Sequence, residues 1–221
     1  MSRVLVLSPH PDDEAIGCGG TLVGHASEGD EIRVVFLTSG ERGGHGLSRT
    51  ETQALREAEA EAAAEILGIN TIEFWRQPDG GLSSGEPLAK RVRQLLLAWG
   101  PKVIYVPHNA EAHEDHRAAA RLLKRAIVNM PLLESQPKVR MFEVWTPIQK
   151  LDEIVDISPF IETKMAAIRA YKTQCAVMDF DEAFRGLSRY RGELHSWPGG
   201  EYAEVFVNPE FKMLGSTNIC T

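Results

Sequence analysis

Short apolar blocks alternate with longer stretches of helical period along most of this chain. The blocks within Arg3 to Leu7, Glu31 to Leu37, Thr71 to Trp75 and Lys102 to Val106 predict strands. Helical patterns lie between them at about Glu14 to Glu28, Thr50 to Leu67 and Pro87 to Trp99. The second is rich in Ala and Glu, and Gly68 closes it with a C-cap signal. A helix from Asp115 to about Asn129 follows, then strands at Arg140 to Trp145 and Glu153 to Ile157. The pattern ends with helices from Pro159 to about Thr173 and near Asp181 to Tyr190, and a strand from Tyr202 to Val207. Strands alternating with helices predict an α/β three-layer sandwich, with a mostly parallel sheet covered by helices on both faces. No repeat or low-complexity tract interrupts residues 1–221, so one domain is expected, with 208–221 as an irregular tail.

The polar residues at two strand ends change the picture. Val4-Leu5-Val6-Leu7 runs into Ser8-Pro9-His10-Pro11-Asp12-Asp13-Glu14, one imidazole and three carboxylates in a single turn. Val103-Ile104-Tyr105-Val106 runs into Pro107-His108-Asn109 and then His113-Glu114-Asp115-His116-Arg117. Carboxylates held away from water need a partner or a cation. His and Asp together suit a borderline metal such as Zn²⁺, and a spare carboxylate beside the ligands can carry protons. Each cluster alone also reads as a polar helix start, because Asp and Ser favour N-caps. Two such clusters, both after apolar strands, are better explained by one site where an open α/β sheet binds its ligands, beyond the carboxyl ends of its strands. A dinucleotide site is excluded there. Its Gly-rich fingerprint should follow the strand directly, whereas Gly17, Gly19 and Gly20 come later and three carboxylates would repel a pyrophosphate. Those glycines instead suit close packing of a helix on the sheet.

Composition narrows the class. The chain of 221 residues is 43% hydrophobic and 25% charged, as expected of a globular protein with a substantial core. Its net charge of −7 argues against general binding to nucleic acid or anionic membranes. Cys18, Cys175 and Cys220 fit neither a zinc ribbon nor a disulfide framework, and read as reduced thiols of a cytoplasmic protein. Cys18 reads as a small packed residue. No basic and apolar leader pattern opens the chain, and no apolar stretch of ~18 residues occurs, so neither export by a standard signal nor a membrane span is expected.

The segment Pro9 to Glu14 and the set His113, Asp115 and His116 resemble the two motifs of the PIG-L/LmbE-like N-deacetylases, Pro/Ala-His-Pro-Asp-Asp-Glu and His-x-Asp-His. Further resemblances are Gly17 to Thr21, Leu37 to Glu41, Arg56 to Glu59 with Leu67-Gly68, Asp79 to Leu82, and Tyr202 to Phe206. Glu114 stands where the family often has Pro. The resemblance implies a Rossmann-like fold and a Zn²⁺-dependent hydrolase that removes an acyl group, usually acetyl, from an aminosugar nitrogen. It places the metal ligands at His10, Asp13 and His116 and leaves Asp12 free as general base. It gives His113 the oxyanion or the leaving-group proton, as an imidazolium. Asp115 then orients a ring nitrogen, or else caps a helix. Arg56 grips a sugar hydroxyl or phosphate, or is a plain helix arginine. Asp79 and Glu204 are candidates for sugar hydroxyls or for structural pairing, and Glu14 for a first-turn helix residue. The Gly-rich stretch Glu41 to Arg49 should lie at the same edge, as a cover for substrate or as a plain connection. His45, His108 and His195 receive no role.

The expected substrate is an aminosugar-containing small molecule or glycoconjugate, and relatives often assemble as trimers or hexamers, so a homo-oligomer is expected. The rival readings are an amidase cleaving a larger acyl group, a non-catalytic metal- or sugar-binding domain, and a phosphoesterase. The last usually wants two metals.

Overall fold

A computed structural model describes residues 1–128, 130, 136–195, 200–209 and 211. Cys220 and most of the expected tail lie outside these residues, as does the side chain of His195. Five parallel strands form the central sheet: β1 (Arg3–Ser8), β2 (Glu31–Thr38), β3 (Thr71–Gln77), β4 (Val103–Pro107) and β5 (Lys138–Phe142), in the order β3-β2-β1-β4-β5. The connecting helices are α1 (Asp13–Ser27), α2 (Arg49–Leu67), α3 (Glu86–Trp99) and α4 (Glu114–Val128).

Both faces of each central strand are buried, which is why their sequences run apolar without alternation. In β1, Val4 and Val6 enter a core shared with α1 and α2, while Leu5 and Leu7 enter a second core shared with α3 and α4. The chain moves outward from β1 through β2 to β3, then returns to lay β4 against the other edge of β1. That reversal opens a crevice at the carboxyl ends of β1 and β4, the place where such sheets bind ligands. The loops after both strands carry the His-Asp clusters.

The second half departs in detail from the pattern read in sequence. Glu153 to Ile157 does not extend the main sheet. β6 (Glu153–Asp156) pairs antiparallel with β7 (Ala203–Phe206) in a two-stranded sheet of its own. The helix expected from Pro159 to Thr173 is split. A 3-10 turn at Ser158–Phe160 leads into α5 (Ile161–Ala170), and Tyr171, with φ −80° and ψ 65°, separates it from α6 (Lys172–Cys175). The last helix, α7 (Phe180–His195), is longer than its periodicity suggested.

The glycines of α1 serve close packing. A Cβ at Gly17 would lie 2.0 Å from the ring of Phe142, and one at Gly20 would lie 2.7 Å from Ile157. Gly17→Ala should therefore push α1 off β5 and cost about 1–3 kcal/mol, read as a lower denaturation midpoint. Unchanged stability would show that the ring of Phe142 swings aside freely. Cys18 is fully buried in the same core, as its packing role requires.

Candidate active site

The turn after β1 is shaped by its own polar groups. Ser8 Oγ donates to the carbonyl of His10 at 2.9 Å, and the amide of His10 donates to Asp13 Oδ2 at 2.9 Å. Asp12 sits at φ 122° and ψ −31°, a backbone conformation that costs a non-glycine residue about 1–3 kcal/mol and is typical of functional sites. Its amide donates to Glu14 Oε2 at 3.2 Å. Glu14 is fully buried and accepts a hydrogen bond from Tyr171, so the first-turn residue is a support beneath Asp12 rather than a ligand. Burial, reinforced by Asp12 and opposed by Tyr171, lifts Glu14 to about 8.

His10 Nδ1 lies 3.3 Å from His116 Nε2 and 3.2 Å from an oxygen of Asp13, while His116 Nε2 lies 3.2 Å from the other Asp13 oxygen. A tetrahedral ion with bonds of about 2.0–2.1 Å separates its ligand atoms by about 3.3–3.4 Å, close to the separations from His10 to His116 and from each imidazole to its own oxygen of Asp13. The charges agree. Burial opposes a proton on His116, yet Asp13 and Glu111 outweigh it and hold that imidazolium up to about 9. His10 is raised by Asp115, Asp13 and Asp79 against the same opposition from burial. Burial alone would raise Asp13, but His116 and His10 hold it far below the usual carboxylate range. The cluster favours positive charge at its centre, which protons on the imidazoles or a bound divalent cation would supply. Ring nitrogens of His10, His113 and His116 also fall within 4.8 Å of one another.

Carboxylates back the imidazoles. His10 Nε2 lies 3.3 Å from Asp115 Oδ2 and 3.2 Å from Asp79 Oδ1, which fixes the tautomer that leaves Nδ1 free for a metal. Asp115 also accepts from the amides of Gly80 at 2.7 Å and Leu82 at 2.9 Å, so it ties the loop after β3 to this centre. The helix-cap alternative does not apply, because Asp115 lies inside the first turn of α4. Glu111 faces His116 as a charge, beyond hydrogen-bond distance, and His116 Nδ1 has no hydrogen-bond partner among the described residues. Glu111 lies 3.7 Å from His116 Nδ1 and accepts from the amides of Val144 at 2.6 Å, Trp145 at 3.2 Å and Thr146 at 3.3 Å. Glu111 went unread in the sequence because its partners on residues 144–146 are remote along the chain.

Asp12 makes no contact of ligand type with the imidazoles. Its Oδ2 accepts from Arg56 Nη2 at 2.7 Å. Burial raises Asp12 to about 6, with Arg56 holding it from going higher. Arg56 is itself buried and also donates to the carbonyls of Pro11 and Gly40, while its Nε has no hydrogen-bond partner among the described residues. Arg56 thus positions Asp12 while it also lines the cavity, where the substrate role expected from the sequence requires it to be. His113 sits just ahead of α4, its ring 4.7 Å from that of His10 and 5.1 Å from that of His116. Its Nδ1 accepts from the amide of Asp115 at 3.2 Å, which leaves Nε2 to carry the proton. Burial, with His10 and His116 beside it, lowers His113 below its ordinary value. That direction favours the neutral ring, an N–H donor, over the imidazolium expected from the sequence.

His10, Asp12, Asp13, Arg56, Asp79 and His113 line one cavity of about 310 Å³, whereas His116 and Asp115 are fully buried and not on its wall. Arg42, Gly43, Trp145 and Gln174 complete it, so part of the Gly-rich loop does border the site. Glu204 is elsewhere. It accepts from Gly20, Thr21 and Lys164 in the interior and braces α1 against β7. His108 is a loop tie, within 2.7 Å of the Thr146 carbonyl, and His45 is exposed.

A family profile described as GlcNAc-PI de-N-acetylase (PIG-L) matches residues 5–127, more than half of the chain and both clusters. The chain belongs to the PIG-L family. Among its relatives is the diacetylchitobiose deacetylase of Thermococcus kodakarensis, 29% identical over 92% of this chain and 82% of that protein. A conserved protein of Thermus thermophilus has a solved structure with TM-score 0.81, 34% identical over 96% of this chain and 97% of that one. The 4-carboxy-2-hydroxymuconate hydratase of Pseudomonas putida superposes with TM-score 0.82, at 25% identity over 96% of this chain and 98% of that one. The five-stranded parallel sheet of this chain is thus that of its PIG-L neighbours. No helix among the described residues is long and apolar enough to cross a membrane.

Proposed function

We propose that the protein is a zinc-dependent N-deacetylase that hydrolyses the acetamide of an N-acetylglucosamine-type substrate. The observation that carries this reading is the approach of donor atoms on His10, Asp13 and His116 to within 3.2–3.3 Å, with Asp12 on the cavity wall beside His10 and Asp13. His10, Asp13 and His116 would hold the metal. Zinc, when bound, makes water acidic near neutral pH and polarises a carbonyl oxygen. Arg56 holds one oxygen of Asp12 and leaves the other to take a proton from the attacking water. As the water oxygen bonds to the amide carbon and the C–N bond breaks, Asp12 returns that proton to the departing nitrogen, giving acetate and an amine. His113 donates its Nε2 hydrogen to the carbonyl oxygen as negative charge develops there. The relatives that act on acetylated aminosugars favour acetyl over a larger acyl group.

The test is a release assay on the zinc-loaded protein. Acetate and free amine should appear from N-acetylglucosamine glycosides or N,N′-diacetylchitobiose, and more slowly from analogues with longer acyl chains. Release only from the longer acyl groups would favour the amidase reading. Consumption of a hydroxymuconate-type diene, with no amide cleaved, would overturn deacetylation in favour of a hydratase.

A neutral His113 makes a distinct prediction. Burial, with His10 and His116 beside it, lowers His113, so the ring is already neutral at alkaline pH and His113→Ala should leave any alkaline limb of the rate profile in place. The same variant should lower kcat by about 10²–10³ with little change in KM or metal content, as loss of an oxyanion donor does. Disappearance of an alkaline limb in this variant would restore the imidazolium.

A further inference from the structure

Asp12 is held by its backbone as well as by its carboxylate. Arg56 donates to the carbonyl of Pro11, and the amide of Asp12 donates to Glu14 Oε2 at 3.2 Å. Those two groups are opposite edges of one planar unit, the peptide between Pro11 and Asp12. To leave φ 122° for an ordinary backbone angle, Asp12 must turn that plane, and doing so breaks both bonds. The plane therefore helps to aim the carboxylate that Arg56 Nη2 grips at 2.7 Å.

Glu14 carries a desolvation cost in this role. It is fully buried, its two oxygens accept from the Asp12 amide and the Tyr171 hydroxyl, and no Lys, Arg or His among the described residues pairs with it. A buried carboxyl group without a counter-charge depends on every hydrogen bond it receives. Tyr171 supplies one of the two from a segment 157 positions away. Its ring lies in the core between the sheet and its helices, where a phenylalanine would fill the same space. Only the hydroxyl distinguishes it. The backbone also bends where that hydroxyl is delivered: Tyr171 has φ −80° and ψ 65° between α5 and α6, and its carbonyl accepts from the amides of Gln174 at 3.1 Å and Cys175 at 3.0 Å.

We propose that Tyr171 is a positioning residue for the general base. Its hydroxyl fixes the Glu14 carboxyl, Glu14 fixes the amide edge of the peptide before Asp12, and Arg56 fixes the carbonyl edge. The break between α5 and α6 thereby acts on a carboxylate that Tyr171 does not touch. This rests on the deacetylase reading and adds to it a residue outside both motifs. A hydroxyl that served the core alone would affect stability and leave the aim of Asp12 unchanged.

The test begins with Tyr171→Phe in the zinc-loaded protein. kcat on an acetamide substrate should fall by about 10- to 100-fold, as misplacement of a reacting group does, with KM and metal content unchanged. In an Asp12→Asn background the same change should lower the residual rate no further, because residues that act as one unit are not additive. Glu14→Gln should keep most of the activity, since its carbonyl can accept from the Asp12 amide while its NH₂ donates to the Tyr171 hydroxyl. Glu14→Leu should lose as much as Tyr171→Phe or more. Equal losses in Glu14→Gln and Glu14→Leu, or a full additional loss from Tyr171→Phe in Asp12→Asn, would overturn the proposal. Amide hydrogen exchange supplies a readout that needs no turnover. Protection of the Asp12 amide should drop by about 10-fold in Tyr171→Phe, beyond any change at Val34 in the sheet interior, and should survive in Glu14→Gln. Loss of that protection, with no acetamide cleaved by the parent protein, would retain the clamp and sink deacetylation. Unchanged protection in Tyr171→Phe would sink the clamp whatever the turnover.

Discussion

Asp12→Asn should retain its metal and its fold while kcat falls by about 10²–10⁴, the usual range for loss of a general base. The substitution is close to isosteric, and the amide oxygen can still accept from Arg56 Nη2, which reaches Asp12 at 2.7 Å. The buried guanidinium thus keeps a partner, and the strained backbone at φ 122° keeps its hydrogen bond to Glu14. What disappears is the ability to take a proton from water. Asp12→Ala should be worse in a different way, because it leaves Arg56 buried without its carboxylate and so lowers stability as well as rate. The measurements are kcat on an acetamide substrate, metal content after dialysis and the thermal midpoint. Near-normal turnover in Asp12→Asn would make this residue structural and place the base elsewhere.

The second large effect is expected at His116. This residue is fully buried between Asp13 and Glu111, and its Nε2 is one of the donor atoms that approach one another there. His116→Ala removes that donor and leaves two carboxylates without their shared imidazole. Metal content should drop from about one ion per chain to a small fraction, and activity should fall by more than the 10–100-fold typical of losing an outer partner such as Glu111. Excess zinc should raise the thermal midpoint of the parent protein, since only the folded chain presents the site, and should do so far less in the variant. Full occupancy with normal turnover in His116→Ala would remove it from the ligand set.

Much of this organisation is local and therefore readable along the chain. The apolar blocks of β1 and β4 are buried on both faces, and burial of that kind leaves continuous runs rather than alternation. The capping box at Ser48 and Glu51 and the left-handed Gly68 mark the ends of α2 with short-range hydrogen bonds, which is why its bounds were nearly as expected. The breaks were less legible where tertiary packing overrides local preference. The residues before Thr173 are helical in character, yet the Tyr171 hydroxyl reaches Glu14, 157 positions away, and the helix is interrupted where it does so.

The site divides along the same line. Sequence alone determined that two strand ends deliver His and Asp, because the motifs are contiguous and each follows an apolar run. It also determined that α1 needs small residues near its start. Only the tertiary structure decided that the two strands are neighbours across the point where the sheet reverses direction, so that His10 and His116 meet 3.3 Å apart although 106 positions separate them. It alone assigned Arg56 to Asp12 and Asp115 to His10, and set Glu111 facing His116. It also lowered His113, a shift that depends on burial and on neighbouring imidazoles. The physical reason is common to all of these. Residue type and local spacing fix what a side chain can bond, but whether the bond is made depends on which segments the sheet topology brings within about 3 Å, and on how much water they exclude.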